Sequence, residues 1–343
     1  LFGLPASGRA QVYAALCRQL DKPLCIVTPG EAEATRFAAD LNTLGIPAGE
    51  IDDGLALLYL LGCQDRVCVR AICTTHGNAS TELTNRATHV LAHALHPLLD
   101  DVPILRGADA PRYGMPSTAD REPSAAARFI AKSSGSNACL LSLGATTDLA
   151  VAEALRPGSL AGYSSIALMG GTTSTLVVGG RIMNELNFSV DGMATYRLFS
   201  TASAAQGPRS RILLADAWNC MPLTFNGEEL LARLASPGMP GAEFLRQMCL
   251  PWFERGQRRW NTYGFVAWDV LAAMALAEPE LLDLAPYDIA LNERLLNIGY
   301  LEKAAPGVPA AHVNLVAPKD PAQAMEHIYQ AWERALAQLA QLA

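Results

Sequence analysis

Two adjacent carboxylates, Asp52 and Asp53, stand at the mouth of the apolar run 54–61, which ends on Gly62. Acidic residues at a helix start are favoured by the positive end of the helix dipole. Paired carboxylates are also hard oxygen ligands suited to Ca²⁺ or Mg²⁺. Late in the chain, Trp268 and Asp269 lie in a second apolar run, 265–277, that reads as a helix. A carboxylate in such a run needs a partner, because an unpaired buried charge is costly. A cation shared with Asp52 or Asp53 is one such partner. Three His residues, His89, His93 and His96, share helical spacing, but no cysteine or carboxylate pattern around them supports a metal site, so they read as one helix face.

The remaining candidates come from asking what must position them. Strand-like runs at 67–74, 138–143, 165–169, 211–215 and 313–316 alternate with helical patterns at 55–61, 81–94, 125–132, 147–155, 228–235, 240–253, 265–277 and 322–342. That alternation predicts an α/β protein with an open, mostly parallel, Rossmann-like sheet and helices on both faces. Ligands of such sheets bind beyond the carboxyl ends of the strands. The loops in that position are Thr74-Thr75-His76-Gly77-Asn78, then Leu143 to Asp148, then Met169-Gly170-Gly171-Thr172-Thr173. The segment Asn184-Glu185-Leu186-Asn187, running on to Asp191, follows them. His76 reads as a loop histidine rather than an acid.

Composition excludes several classes of function. Half the residues are hydrophobic, 17% are charged and the formal net charge is −7, which suits a large buried core and not a surface that coats nucleic acid. No apolar run reaches membrane-spanning length, so no membrane partner is expected. None of the eight cysteines forms a C-x-x-C pair, and most lie in apolar runs, which reads as buried free thiols. With no leader pattern at the start, a cytoplasmic location is expected. Residues 1–43 read as loop, helix, strand, helix, an αβα lead-in or fusion segment, and the alternating pattern of 44–343 reads as one domain. The opening Gly3-Leu4-Pro5-Ala6-Ser7-Gly8-Arg9 lacks the G-K-[ST] ending of a phosphate loop. This lead-in resembles the start of the transcription-repair coupling factor family over about forty residues.

From Glu50 onward the motifs, in order, resemble the inosine/uridine-preferring nucleoside hydrolase family. They are Glu50-Ile51-Asp52-Asp53, Thr74-Thr75-His76-Gly77-Asn78 and Asp101-Val102-Pro103-Ile104, then Leu143 to Asp148, Met169-Gly170-Gly171, Glu185-Leu186-Asn187 and Trp268-Asp269-Val270. The resemblance implies the nucleoside hydrolase fold over residues 44–343 and hydrolysis of the N-glycosidic bond of a ribonucleoside by a Ca²⁺-activated water. It implies Asp53, Asp269 and the Thr147 carbonyl as Ca²⁺ ligands. Asp52, Asn78, Glu185 and Asn187 would hold the ribose, Met169 would pack near the sugar and Trp268 near the base. Asp52 and Asp53 would carry the catalytic charge. The oxocarbenium-like transition state of such a reaction is stabilised by nearby carboxylates. A homo-oligomer, dimer or tetramer, is implied by the same likeness.

The chain departs from the family pattern in several chemically important places, one of them the family's ribose-contacting Asn, which falls here in Gly179-Gly180. The family carries an Asp just upstream of the pair, as metal ligand and general base. Here Asn42, Leu44 and Ala48 occupy that region, and residues 42–49 contain no carboxylate. Trp268 stands where the family has a base-protonating His. The expected function is therefore ribonucleoside hydrolysis, with nucleoside or ribosyl binding without turnover as the alternative.

Overall fold

The computed structural model describes residues 51–110, 122–135, 137–204, 212–235 and 242–342. The lead-in expected over 1–43, and Asn42, Leu44 and Ala48, lie outside the described residues. In chain order the elements are α1 Asp52–Leu61, β1 Ile72–Thr74, α2 Thr81–Ala94, β2 Ile104–Arg106, α3 Ala125–Ser133, β3 Cys139–Ser142 and α4 Thr147–Leu155. Next come β4 Ser165–Met169, β5 Leu176–Val178, β6 Arg181–Met183, α5 Gly192–Ala204, β7 Ile212–Ala215, the short α6 Ala217–Cys220, β8 Thr224–Asn226 and α7 Gly227–Leu234. The chain then forms α8 Ala242–Trp260, β9 Gly264–Val266, α9 Trp268–Ala277, β10 Leu282–Ala290, α10 Glu293–Leu296, β11 Ala310–Pro318 and α11 Pro321–Leu342.

Side-chain caps fix several of the helix starts. Ser80 accepts from the Leu83 amide, Ser124 from the Ala127 amide, and Asn226 from the amides of Glu228 and Glu229. The central sheet runs in the order β10-β11-β7-β4-β3; β3, β4, β7 and β11 are parallel and β10 is antiparallel at the edge. Alternate residues of each strand enter different cores. Ala167, Met169, Leu213 and Ala215 face a core shared with α1, α9 and α11, while Ile166, Leu168 and Leu214 face one shared with α3, α4 and α5. Helices thus cover both faces of an open, mostly parallel sheet, as the sequence pattern predicts.

The differences from the pattern are local. The predicted strand 67–74 shortens to β1, and the helix predicted over 265–277 divides at Ala267 into β9 and α9. Gly264 allows that division: its φ is +143°, and a Cβ there would meet the Phe225 carbonyl at 2.0 Å. β10 falls outside the strand-like runs because Asp283, Pro286 and Asp288 break the apolar pattern, yet Pro286 is tolerated in an edge strand. The expectation of buried thiols holds for Cys63, Cys220 and Cys249, but Cys68, Cys73 and Cys139 are exposed, two of them on short strands near sheet edges; all six are free. Among the described residues, no helix is long and apolar enough to cross a membrane.

The long C-terminal helix α11 braces α1. Trp332, fully buried, donates its indole N–H to the Leu55 carbonyl at 2.8 Å. Trp332→Phe removes that bond and part of the packing, and should lower the unfolding free energy by roughly 2 kcal/mol in urea titrations. An unchanged midpoint would show that the brace is energetically idle.

Candidate active site

The amino ends of α1 and α9 carry the carboxylates. Asp52 and Asp53 form the first turn of α1, and Asp269, only 3% exposed, sits in the first turn of α9. The Asp53 amide donates to Asp52 Oδ1 at 3.2 Å, which turns one carboxylate back over the helix start. Carboxylate oxygens of Asp52, Asp53 and Asp269 all lie within 4.8 Å of one another. Among the described residues, this is the one such group of three or more His, Cys, Asp or Glu side chains that could hold an ion. Three like charges so close repel one another, most strongly around buried Asp269 and least at exposed Asp53. Two helix amino termini soften that repulsion, and the donor set is the hard-oxygen kind that fits a divalent cation such as Ca²⁺. His89, His93 and His96 are all exposed and form no such group; His96 instead pairs with Asp100 at 3.0 Å.

The loops at the strand ends form a second set of contacts. Asn187 donates its amide to the Leu143 carbonyl at 2.9 Å, the Met169 carbonyl at 3.2 Å and Met169 Sδ at 3.0 Å. One side chain therefore ties the ends of β3 and β4 together, and the planar amide directs its oxygen away from those carbonyls. Thr147 is buried and its hydroxyl donates to Asp191 Oδ2 at 2.6 Å, while Asp191 Oδ1 caps the Ala194 amide at 3.1 Å. The turn that carries Thr147 is thereby fixed to the start of α5. Asn78 is exposed beyond β1, and Trp268 is half-buried beside Asp269.

Glu185 faces inward. Its carboxylate accepts from the amides of Phe188 at 2.9 Å and Ser189 at 3.2 Å. Burial pushes the carboxyl up to about 7, against the opposing pull of backbone donors at Phe188, Gly171, Ser189 and Asn187. The structure thus brings Asp52, Asp53 and Asp269 into one group and Asn187 onto Met169. It spends Glu185 largely on the backbone and Thr147's hydroxyl on Asp191.

Three buried groups near these loops were not singled out in the sequence as site residues. Asp216 follows β7 and is fully buried; its Oδ2 accepts from the Thr173 amide at 3.2 Å and hydroxyl at 2.7 Å. Its Oδ1 has no hydrogen-bond partner among the described residues, and burial raises its carboxyl. The available signal was its place immediately after a strand. Asp148 accepts from the Ala108 amide at 3.1 Å and the Ser124 hydroxyl at 2.6 Å, joining the turn after β3 to the loop after β2. Cys220, also buried, lies 3.7 Å from the Trp268 carbonyl through Sγ.

Comparison with known proteins agrees with this architecture. A purine-preferring ribonucleoside hydrolase from Gardnerella vaginalis superposes with a TM-score of 0.69 at 18% identity, over 85% of this chain and 97% of that one. A plant nucleoside hydrolase gives 0.66 at 17% identity, over 84% and 96%. A type III effector protein complexed with adenosine diphosphate ribose gives 0.58 at 16% identity, over 83% and 90%. At such identities the likeness establishes a shared fold. A search of curated protein sequences gives no match. The family model for inosine-uridine preferring nucleoside hydrolases matches residues 47–316, close to the extent expected from the motifs, and the chain belongs to that family.

Proposed function

We propose that this protein hydrolyses the N-glycosidic bond of ribonucleosides at the Asp52–Asp53–Asp269 group with Ca²⁺ as cofactor. The observation that carries the reading is the convergence of those three carboxylates within 4.8 Å in a nucleoside hydrolase-family chain. Asp53 and Asp269 would hold the cation, with the carbonyl of Thr147 as a further ligand. When bound there, Ca²⁺ supplies charge that makes a water more acidic and gathers ribose hydroxyls into a shell of about six to eight oxygens. Asp52, Asn78, Asn187 and Glu185 hold the ribose. Met169 packs against the sugar and Trp268 lines the base. Asp52 and Asp53 stabilise the positive charge that grows on the sugar ring as the bond to the base breaks.

A second reading is favoured by one specific observation. The segment 42–49 carries no carboxylate where the family places its general base. A protein so altered binds a nucleoside or ribosyl ligand with little turnover.

Release of ribose from inosine, uridine, adenosine and guanosine, with Ca²⁺ and with excess chelator, separates the two. The panel includes adenosine diphosphate ribose, which the effector relative binds. Ribose release that chelator stops supports the first reading. Thermal stabilisation by a riboside with no release supports the second. If no compound is cleaved and none raises Tm, both readings are wrong.

A further inference from the structure

The two helices that carry the carboxylates at their amino ends also meet at their carboxyl ends. Asp52, Ala56 and Tyr59 stand at i, i+4 and i+7, so one face of α1 carries an acid at one end and a phenol at the other. Tyr59 is fully buried and donates its hydroxyl to Glu278 Oε2 at 2.6 Å. Glu278, 5% exposed, caps the carboxyl end of α9 through its own amide, which donates to the Met274 carbonyl at 2.8 Å. His327 of α11 meets the other Glu278 oxygen at 3.1 Å through Nδ1. The end of α1 is held to the same helix. Arg334 donates to the Gly62 carbonyl at 2.9 Å, and a Cβ on Gly62 would lie 1.9 Å from the Ala331 carbonyl. From Tyr59 to Asp52 is about 10 Å along the helix, and from Glu278 to Asp269 about 13 Å.

We propose that the buried Tyr59–Glu278 hydrogen bond, with His327, is a distal clamp that sets the register of α1 against α9 and thereby positions Asp52, Asp53 and Asp269 for a divalent cation. The clamp acts through the helices and touches neither cation nor substrate, so Tyr59 and Glu278 are positioning residues. α1 and α9 pack directly against each other in one core, so a shift at one end is carried along the pair as a rigid unit. All three carboxylates must reach one Ca²⁺ at about 2.3–2.6 Å, so a slip at the far end that spreads them lowers affinity at the near end. The inference rests on reading the three carboxylates as cation ligands.

The test is calorimetric titration of CaCl₂ into the purified full chain. Tyr59→Phe is expected to weaken Ca²⁺ binding by about three- to tenfold, below the ~10–100-fold typical of groups bonded directly to ligands. Glu278→Gln keeps an oxygen to accept from Tyr59 and should bind within about twofold of the parent. Leu245→Ala, in the same core on α8 but away from the clamp, should lower Tm while leaving Ca²⁺ affinity within about twofold. Should Tyr59→Phe fail to fold, Glu278→Asp, which withdraws the carboxylate by one methylene, carries the same expected weakening. If the parent binds Ca²⁺ but Tyr59→Phe lowers only Tm, the clamp is overturned and the ligand reading stands. If the parent shows no saturable Ca²⁺ binding, the ligand reading falls and the clamp with it.

Discussion

On the proposed function, Asp269→Asn should remove saturable Ca²⁺ binding and lower chelator-sensitive ribose release by at least about 100-fold, the scale already reached when a group bonded to a metal ligand is lost. Asp269 is the buried member of the carboxylate group, and its oxygens lie within 4.8 Å of those of Asp52 and Asp53. Asparagine keeps the shape and one oxygen but removes the charge, so the change isolates electrostatics from packing. Asp53 is exposed, and solvent screens its charge more strongly. Asp53→Asn should therefore cost less affinity than Asp269→Asn, although both act in the same direction. Thermal scans give a reading independent of turnover. At Ca²⁺ about 100 times Kd, a folded-state ligand adds about 2.7 kcal/mol of stability, and that gain should vanish in Asp269→Asn. An Asp269→Asn protein that binds Ca²⁺ as tightly as the parent would remove the carboxylate group from the mechanism.

The parts legible in the sequence are those set by local chemistry. α2 and α4 begin and end where the helical patterns place them, and β4 matches the strand-like run at 165–169. Their signals are short-range: a Ser80 cap, a buried strand pattern, an acidic first turn. What escaped was tertiary. α5 begins with glycine and is rich in Ser and Thr, residues of modest helix propensity, and its place is decided by packing on the sheet and by the Asp191 cap. β8 and β9 exist because they pair with each other across about forty residues of intervening chain. The carboxylate group itself is partly legible. Asp52 and Asp53 are neighbours in sequence, but Asp269 joins them only because α1 and α9 pack side by side with both amino ends at one place. The burial of Glu185 against four backbone amides and the orphan oxygen of Asp216 had no sequence signal, since both depend on where the loops close over a carboxylate.

Glu185 is expected to make the folded protein lose stability as the pH rises from about 5 to 8. In the unfolded chain the carboxyl titrates near its ordinary value of 4.5, and in the folded protein burial moves it to about 7. Between those values the native state holds a proton that the unfolded state has released. Raising the pH then favours unfolding, by about 3 kcal/mol over the interval, and the effect levels off above the folded value. Little of this is screened, because Glu185 is 6% exposed. Asp148 and Asp216 are raised by burial as well and tilt the curve in the same direction. The difference between the parent and Glu185→Gln isolates the Glu185 contribution. Urea unfolding at pH 5, 6, 7 and 8 should show a stability difference that changes by about 3 kcal/mol in favour of the variant as the pH rises. A flat difference would mean that the four backbone donors outweigh burial and hold the carboxylate charged throughout. If Glu185 holds the ribose as proposed, the same proton bears on binding. Below its titration Glu185 can donate to a ribose hydroxyl, and above it only accept, so riboside affinity in the parent should change across this pH range and that change should be absent from Glu185→Gln.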